Sequence, residues 1–187
     1  MALIIKNRTI VNDDWTVVRA AEDGTLPAVD ALPAGKVVVP LALWQTARDQ
    51  LSVARSAAEI GVWLTPDSEP ANVVGDFDKI ALIALDFPVF LDGRGFSVAR
   101  LLRERYGYKG EIRAIGDVLR DQLAYMFRCG FDAYAVREDK DIQDALKAFD
   151  EFTVQYQDAV ENPSPLFSRR ATAPAAATVR KAAAEHG

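Results

Sequence analysis

The chain has 187 residues, of which 50% are hydrophobic and 26% are charged, the composition of a soluble globular protein. Its only cysteine, Cys129, and its only histidine, His186, exclude an internal disulfide, a four-thiolate iron–sulfur centre and a Cys/His zinc site. The net charge is −5, with −8 before Asn162 and +3 in the remaining tail, and this acidity argues against a nucleic-acid-binding protein.

No apolar run approaches the roughly 20 residues that span a bilayer. Met1–Lys6 lacks the basic region and long apolar stretch of a signal peptide. We therefore expect a cytoplasmic protein with no membrane contact and no metal site.

The N-terminal part of the chain contains three short apolar or β-branched runs, Leu3–Ile5, Thr9–Val11 and Trp15–Val18. They predict a small antiparallel hairpin or meander within residues 1–20. A loop rich in Pro and Gly follows and ends at Gly35.

From Lys36 onward, apolar runs alternate with stretches of helical periodicity. The predicted strands are Lys36–Leu41, Gly61–Thr65, Lys79–Asp86, Glu111–Gly116 and Phe131–Val136. The predicted helices are Leu43–Ile60, Ser97–Tyr106, Asp117–Cys129 and Asp139–Val160.

This alternation predicts an α/β fold with about five mostly parallel strands, arranged as an open sheet or a partial TIM-like barrel. We expect a small N-terminal β-hairpin in residues 1–20, an α/β domain in 36–161 and a flexible Pro/Ala-rich tail in 162–187. Exposed edge strands of an open sheet are compatible with a homodimer.

The turn that starts at Asp92 is the first candidate ligand site. The carboxyl ends of parallel strands share one edge, where ligands usually bind. Backbone N–H groups and arginines there attract anions, so the candidate ligand-binding residues in this turn are Asp92, Arg94, Gly95, Ser97 and Arg100. The alternative is a tight turn in which Ser97 caps the helix and Arg94 pairs with Asp92.

The segment after the fourth of these strands would lie at the same edge. Arg113 is a further candidate for ligand binding, and Asp117 and Asp121 are candidates for proton transfer. The alternatives are that Asp117 caps the next helix, that Asp121 stabilises the helix through its interaction with the helix dipole, and that Arg113 pairs with Glu111 or Asp117. Cys129 falls at the opposite end of the sheet and is interpreted as a structural cysteine.

Three motifs carry a resemblance to a known family: Asp92-Gly-Arg-Gly-Phe-Ser-x-Ala-Arg-x-Leu-Arg103, Gly110-Glu-x-Arg-Ala-x-Gly-Asp-Val-x-x-Asp-Gln122 and Arg128-Cys-Gly-Phe-Asp132. They resemble a bacterial family of unknown function, commonly labelled as probable oxidoreductases of sulfite reduction because its members occur beside sulfate-reduction genes. The resemblance covers about Val37 to Phe167. It implies a place in assimilatory sulfate reduction and supplies no catalytic residues.

Two functions remain open at this point. The first is an accessory protein that binds a small oxyanion or phosphorylated ligand at the strand edge, docks on sulfite reductase components, or does both. The second is an oxidoreductase or acid/base catalyst acting on a small anionic substrate with a bound cofactor such as flavin mononucleotide (FMN). The sequence assigns no cofactor, because it contains no Gly-x-Gly-x-x-Gly turn.

Overall fold

The computed structural model describes residues 2–150 and Val160. It contains eight strands: β1 (Leu3–Lys6), β2 (Thr9–Asn12), β3 (Trp15–Val17), β4 (Lys36–Pro40), β5 (Ile60–Leu64), β6 (Leu82–Phe87), β7 (Glu111–Gly116) and β8 (Ala133–Tyr134). The α-helices are α1 (Leu41–Ala54), α2 (Arg94–Arg100), α3 (Arg120–Arg128) and α4 (Ile142–Leu146). A π-helical turn, Leu101–Arg105, extends α2, and short 3-10 helices include Pro70–Asp76 and Lys147–Asp150.

All eight strands form one sheet in the order β2-β1-β8-β7-β6-β5-β4-β3. The strands from β3 to β8 pair in parallel, whereas β1 is antiparallel to both β2 and β8. The prediction of about five mostly parallel strands was therefore wrong in number, and the sheet is mixed. The three N-terminal runs account for the difference, since β1 and β2 form a hairpin that extends one edge of the sheet and β3 extends the other.

The sheet is open and curled. Its two edge strands, β2 and β3, are joined by only Asp13 and Asp14. Three backbone steps span at most about 11 Å, so the end of one edge strand lies close to the start of the other. The two edges are thereby brought together, and the sheet encloses a concave interior.

Alternate residues of each strand face opposite sides of this sheet. Residues of the outward set, such as Val37, Val39, Ile83 and Leu85, belong to the large core shared with the helices. The inward set contains a smaller apolar cluster of Val38, Leu82, Ala84 and Ile115, with Trp15, Val17, Trp63 and Ala135 packed against it. Helices therefore cover the convex face, and the concave face is left for the interior.

Several helix boundaries differ from the predicted ones. The predicted helix Asp139–Val160 is represented by α4 and the 3-10 turn to Asp150, and most of its remainder lies outside the described residues. The predicted tail, 162–187, also lies outside them. Within the described part of the chain, no helix is long and apolar enough to cross a membrane.

Candidate functional site

The loops after β6 and β7 lie side by side at the carboxyl ends of the parallel strands. Phe87 and Gly116, the last residues of the two strands, are partners in register. The carboxylate of Asp117 accepts a hydrogen bond from the backbone N–H of Phe90 at 2.9 Å, and the side-chain amide of Gln122 donates to the Phe90 carbonyl at 3.0 Å. The β6–α2 loop is therefore held in place by the segment that begins α3.

Arg94, the first residue of α2, donates hydrogen bonds to two carboxylates. Its Nε and Nη2 donate to the two oxygens of Asp92 at 3.0 and 2.7 Å, and its Nη1 forms an ion pair with Asp67. These hydrogen bonds from Arg94 lower the pKa of Asp92, and the two carboxylates raise the pKa of Arg94. Arg94 thus faces two carboxylates, and the cluster has a net charge of −1.

The other residues of this turn have structural roles. Helix α2 begins at Arg94 with Gly93 as its N-cap, so the alternative in which Ser97 caps the helix was wrong. A Cβ at Gly95 would lie 2.7 Å from Cζ of Phe87, so the glycine permits close packing of α2 on β6. Arg100 binds Glu104 one turn further along, with its Nε at 2.9 Å from both carboxylate oxygens.

The side chain of Arg113 lies inside the curled sheet, and not among the loops at the carboxyl ends of its strands. Its side chain is buried; Nε donates to Glu111 at 2.8 Å and Nη1 donates to Asp13 at 2.8 and 2.9 Å. Lys6 completes the network through Glu111 at 2.6 Å. Arg94, Arg100 and Arg113 therefore contact different carboxylates in different parts of the molecule.

The two carboxylates predicted for proton transfer are also separated. Asp117 accepts from Nη1 of Arg137 at 2.9 Å, and because Leu119 is the N-cap of α3, the alternative of a capping role for Asp117 was wrong. Asp121 lies in the exposed first turn of α3. It lines a cavity of about 340 Å³ with Arg120, Lys140 and Asp144, among others.

A larger cleft, of about 640 Å³, opens at the carboxyl ends of the strands. Its walls combine the start of β1, the ends of β3 and β7, and the segment after β8. Its charged lining residues are Asp13, Arg19, Arg137, Glu138 and Lys140. Each of the three cations has a carboxylate partner: Asp86 for Arg19, Asp117 and Asp139 for Arg137, and Asp139 for Lys140.

Arg19 is the cation of this cleft with the most open hydrogen-bonding capacity. Its Nη2 donates to Asp86 at 3.0 Å, and this is its only hydrogen bond within the described residues. Its guanidinium lies 5.3 Å from the centre of the Trp63 ring, which is itself fixed by a 2.8 Å bond to the Val18 carbonyl. In contrast, Nε, Nη1 and Nη2 of Arg137 all donate to Asp117 or Asp139.

Sequence reasoning missed Arg19 and Asp86. Asp86 is 9% exposed and is the penultimate residue of β6, and Arg19 follows β3 by two residues. The available signal was position, because a charged residue that ends an apolar strand lies at the edge where ligands bind. Within the described residues, no group of three or more His, Cys, Asp or Glu side chains could hold a metal ion.

Comparison with known proteins gives one family match. A family model described as a bacterial protein of unknown function (DUF934) matches residues 61–167, more than half of the chain. The matched region contains Asp86 and Arg137, whereas Arg19 precedes it. A search of curated proteins finds no match.

Proposed function

Because this chain belongs to the bacterial family of unknown function DUF934, we propose an accessory role in assimilatory sulfite reduction, in which the cleft binds a small oxyanion or phosphorylated ligand. The pathway rests on the resemblance carried by the three sequence motifs. The ligand class rests on the position of the cleft and on the open donors of Arg19. Both parts can be tested separately.

The observation that carries the ligand class is the environment of Arg19. The buried carboxylate of Asp86 and the ring of Trp63 hold its guanidinium at the cleft, and only one of its N–H groups is engaged within the described residues. Charge-assisted hydrogen bonds from a pre-positioned guanidinium bind sulfate, sulfite or phosphate oxygens well. Arg137 and Lys140 add positive charge to the same cleft.

This proposal places the ligand in the cleft rather than on the Asp92–Ser97 turn. An anion on Arg94 would compete with Asp92 and Asp67, to which three of the five guanidinium N–H groups already donate. An anion on Arg19 displaces nothing from the described residues. The competing carboxylates therefore favour Arg19.

A thermal-shift experiment tests the ligand site. Sulfite, sulfate, phosphate and FMN would be added to the wild type, Arg19→Ala, Arg94→Ala and a control, Arg105→Ala, in which the lost cation lies on the exposed end of the π-helical turn. A ligand that binds only the native state raises the melting temperature. We expect at least one anion to raise it in the wild type, Arg94→Ala and Arg105→Ala, and no rise in Arg19→Ala. If no anion shifts the wild type, the proposal fails.

A growth experiment tests the pathway. A bacterial strain lacking the gene would be grown with sulfate or with cysteine as the sulfur source and complemented with the wild type or Arg19→Ala. We expect impaired growth on sulfate alone, restored by the wild type and not by the variant. Equal growth on both sulfur sources would contradict a role in sulfite reduction, whatever the ligand experiment shows.

An enzyme acting on a small anionic substrate is the second candidate, and the position of Asp117 favours it. This carboxylate accepts a hydrogen bond from Arg137, which lines the cleft. Asp121 lines the separate smaller cavity instead. A flavin absorption spectrum in the purified protein, together with turnover that Asp117→Asn abolishes, would support catalysis over the accessory role.

A further inference from the structure

The cleft is larger and more apolar than an inorganic oxyanion requires. Its volume of about 640 Å³ falls within the roughly 300–1,000 Å³ of sites for ligands of drug-like size. Apart from its charged residues and Gly116, every lining residue is apolar: Ala2, Leu3, Ile4, Val17, Ile115, Ala135, Val136 and Ile142. Sulfate or phosphate alone would leave the exposed and partly exposed residues of this wall, among them Leu3, Val17 and Ala135, in contact with water.

Cations and exposed apolar side chains both line the cleft. Arg19 and Arg137 follow the ends of β3 and β8, and Leu3, Val17 and Ala135 supply an apolar wall that is exposed or partly exposed. The acidic group Asp13 does not repel a ligand strongly, since both of its oxygens accept from Arg113. The cleft is therefore suited to a molecule with an anionic end and an apolar body.

We propose that the ligand is an organic phosphate or sulfate ester, with its anionic group on Arg19 and an apolar or aromatic body against Leu3, Val17 and Ala135. This inference rests on the proposed function, because it places the ligand in the same cleft. Among the anions considered for the proposed function, this inference selects an organic ester over an inorganic ion. Burial of the apolar body supplies affinity that the inorganic ion lacks.

The affinities of inorganic phosphate and phenyl phosphate, measured by calorimetric titration, test the ligand class. We expect phenyl phosphate to bind at least about tenfold more tightly than phosphate, since its ring is removed from water on binding. Arg19→Ala should weaken both probes, because it removes the cation that they share.

Two further variants test where the body lies. Ala135→Leu places a larger side chain in the apolar part of the cleft and should weaken phenyl phosphate while leaving phosphate unchanged. Leu3→Ala shortens an exposed apolar side chain of the wall, so it should fold normally, and it should weaken phenyl phosphate alone. Unliganded melting temperatures identify any variant that fails to fold.

The outcomes separate this inference from the function on which it rests. If both probes bind equally and Arg19→Ala weakens both, the ester is wrong and the anion site stands. If phenyl phosphate binds more tightly but neither apolar-wall variant that folds affects it, its body lies elsewhere and the inference is overturned. If neither probe nor any other anion binds, the proposed function fails too.

Discussion

At the scale of single residues, the arginines differ in how many of their guanidinium nitrogens already donate to carboxylates. The sequence does not show this difference. Arg94 and Arg137 each engage three guanidinium nitrogens, and Arg113 engages Nε and Nη1 with two partners inside the sheet. Arg19 engages one. A guanidinium whose donors are already satisfied gains little from an anion, whereas one with open donors gains charge-assisted bonds.

Arg113 should therefore stabilise the fold rather than bind ligand. Arg113→Met leaves the partly buried carboxylate of Asp13 without its buried cation, and breaking such a pair costs at most the roughly 3–5 kcal/mol of a fully buried one. Urea denaturation would measure the loss. The exposed control, Arg105→Ala, should stay within about 0.5 kcal/mol of the wild type. Wild-type stability in Arg113→Met would show that the network contributes nothing.

At the scale of elements, α1 is attached to the 3-10 helix Pro70–Asp76 by one buried carboxylate. Asp76 accepts from Nε1 of Trp44 at 3.0 Å, from Arg48 at 3.2 Å and from Lys79 at 3.0 Å. Burial would by itself raise the pKa of Asp76, but hydrogen bonds from Lys79, Trp44 and Arg48 outweigh it and hold the pKa below its ordinary value.

This lowered pKa predicts an acid-sensitive attachment. A carboxyl whose pKa is lower in the folded state contributes stability above its unfolded value, near pH 4, and loses that contribution as the pH falls through the folded value. Asp76→Asn should therefore be less stable than the wild type at pH 7, and the difference should shrink below about pH 4. Urea denaturation across this pH range measures it, and a pH-independent difference would contradict the account.

The contact between α2 and β6 gives a second prediction at this scale. Gly95→Ala places a methyl group against the buried ring of Phe87, and overpacking of this kind costs about 1–3 kcal/mol. The matched control is Gly75→Ala, because a Cβ at Gly75 meets nothing within 4 Å. Thermal denaturation should separate the two variants. Equal stability would mean that Gly95 is not required for packing.

At the scale of the whole molecule, local patterns predict strands better than they predict strand partners. The five strands from β4 to β8 follow from apolar runs bounded by Pro, Gly or charged residues, and their parallel pairing follows from the intervening helices. The pairing of β1 with β8 joins residues such as Ile5 and Tyr134, which are far apart in the chain. No local signal specifies that partner, so the sequence predicts the N-terminal hairpin but not the strand beside which it lies.

The candidate site shows the same limit. The Gly-Arg-Gly turn is visible in the sequence, but Asp67, one of the carboxylates that neutralise Arg94, comes from a distant loop. The pair of Arg19 and Asp86 joins positions 67 residues apart. The edge of the sheet could be predicted from strand order, whereas the choice among its arginines depends on long-range ion pairs.

The central claim is that the anion site is the cleft containing Arg19. Amide NMR spectra recorded during a phosphate titration test it most directly, because they report which backbone positions sense the ligand. We expect the largest shifts at Arg19, Gly116 and Arg137, with little change from Gly93 to Phe96. Shifts confined to Gly93–Phe96, with Arg19 and Arg137 unaffected, would contradict the account.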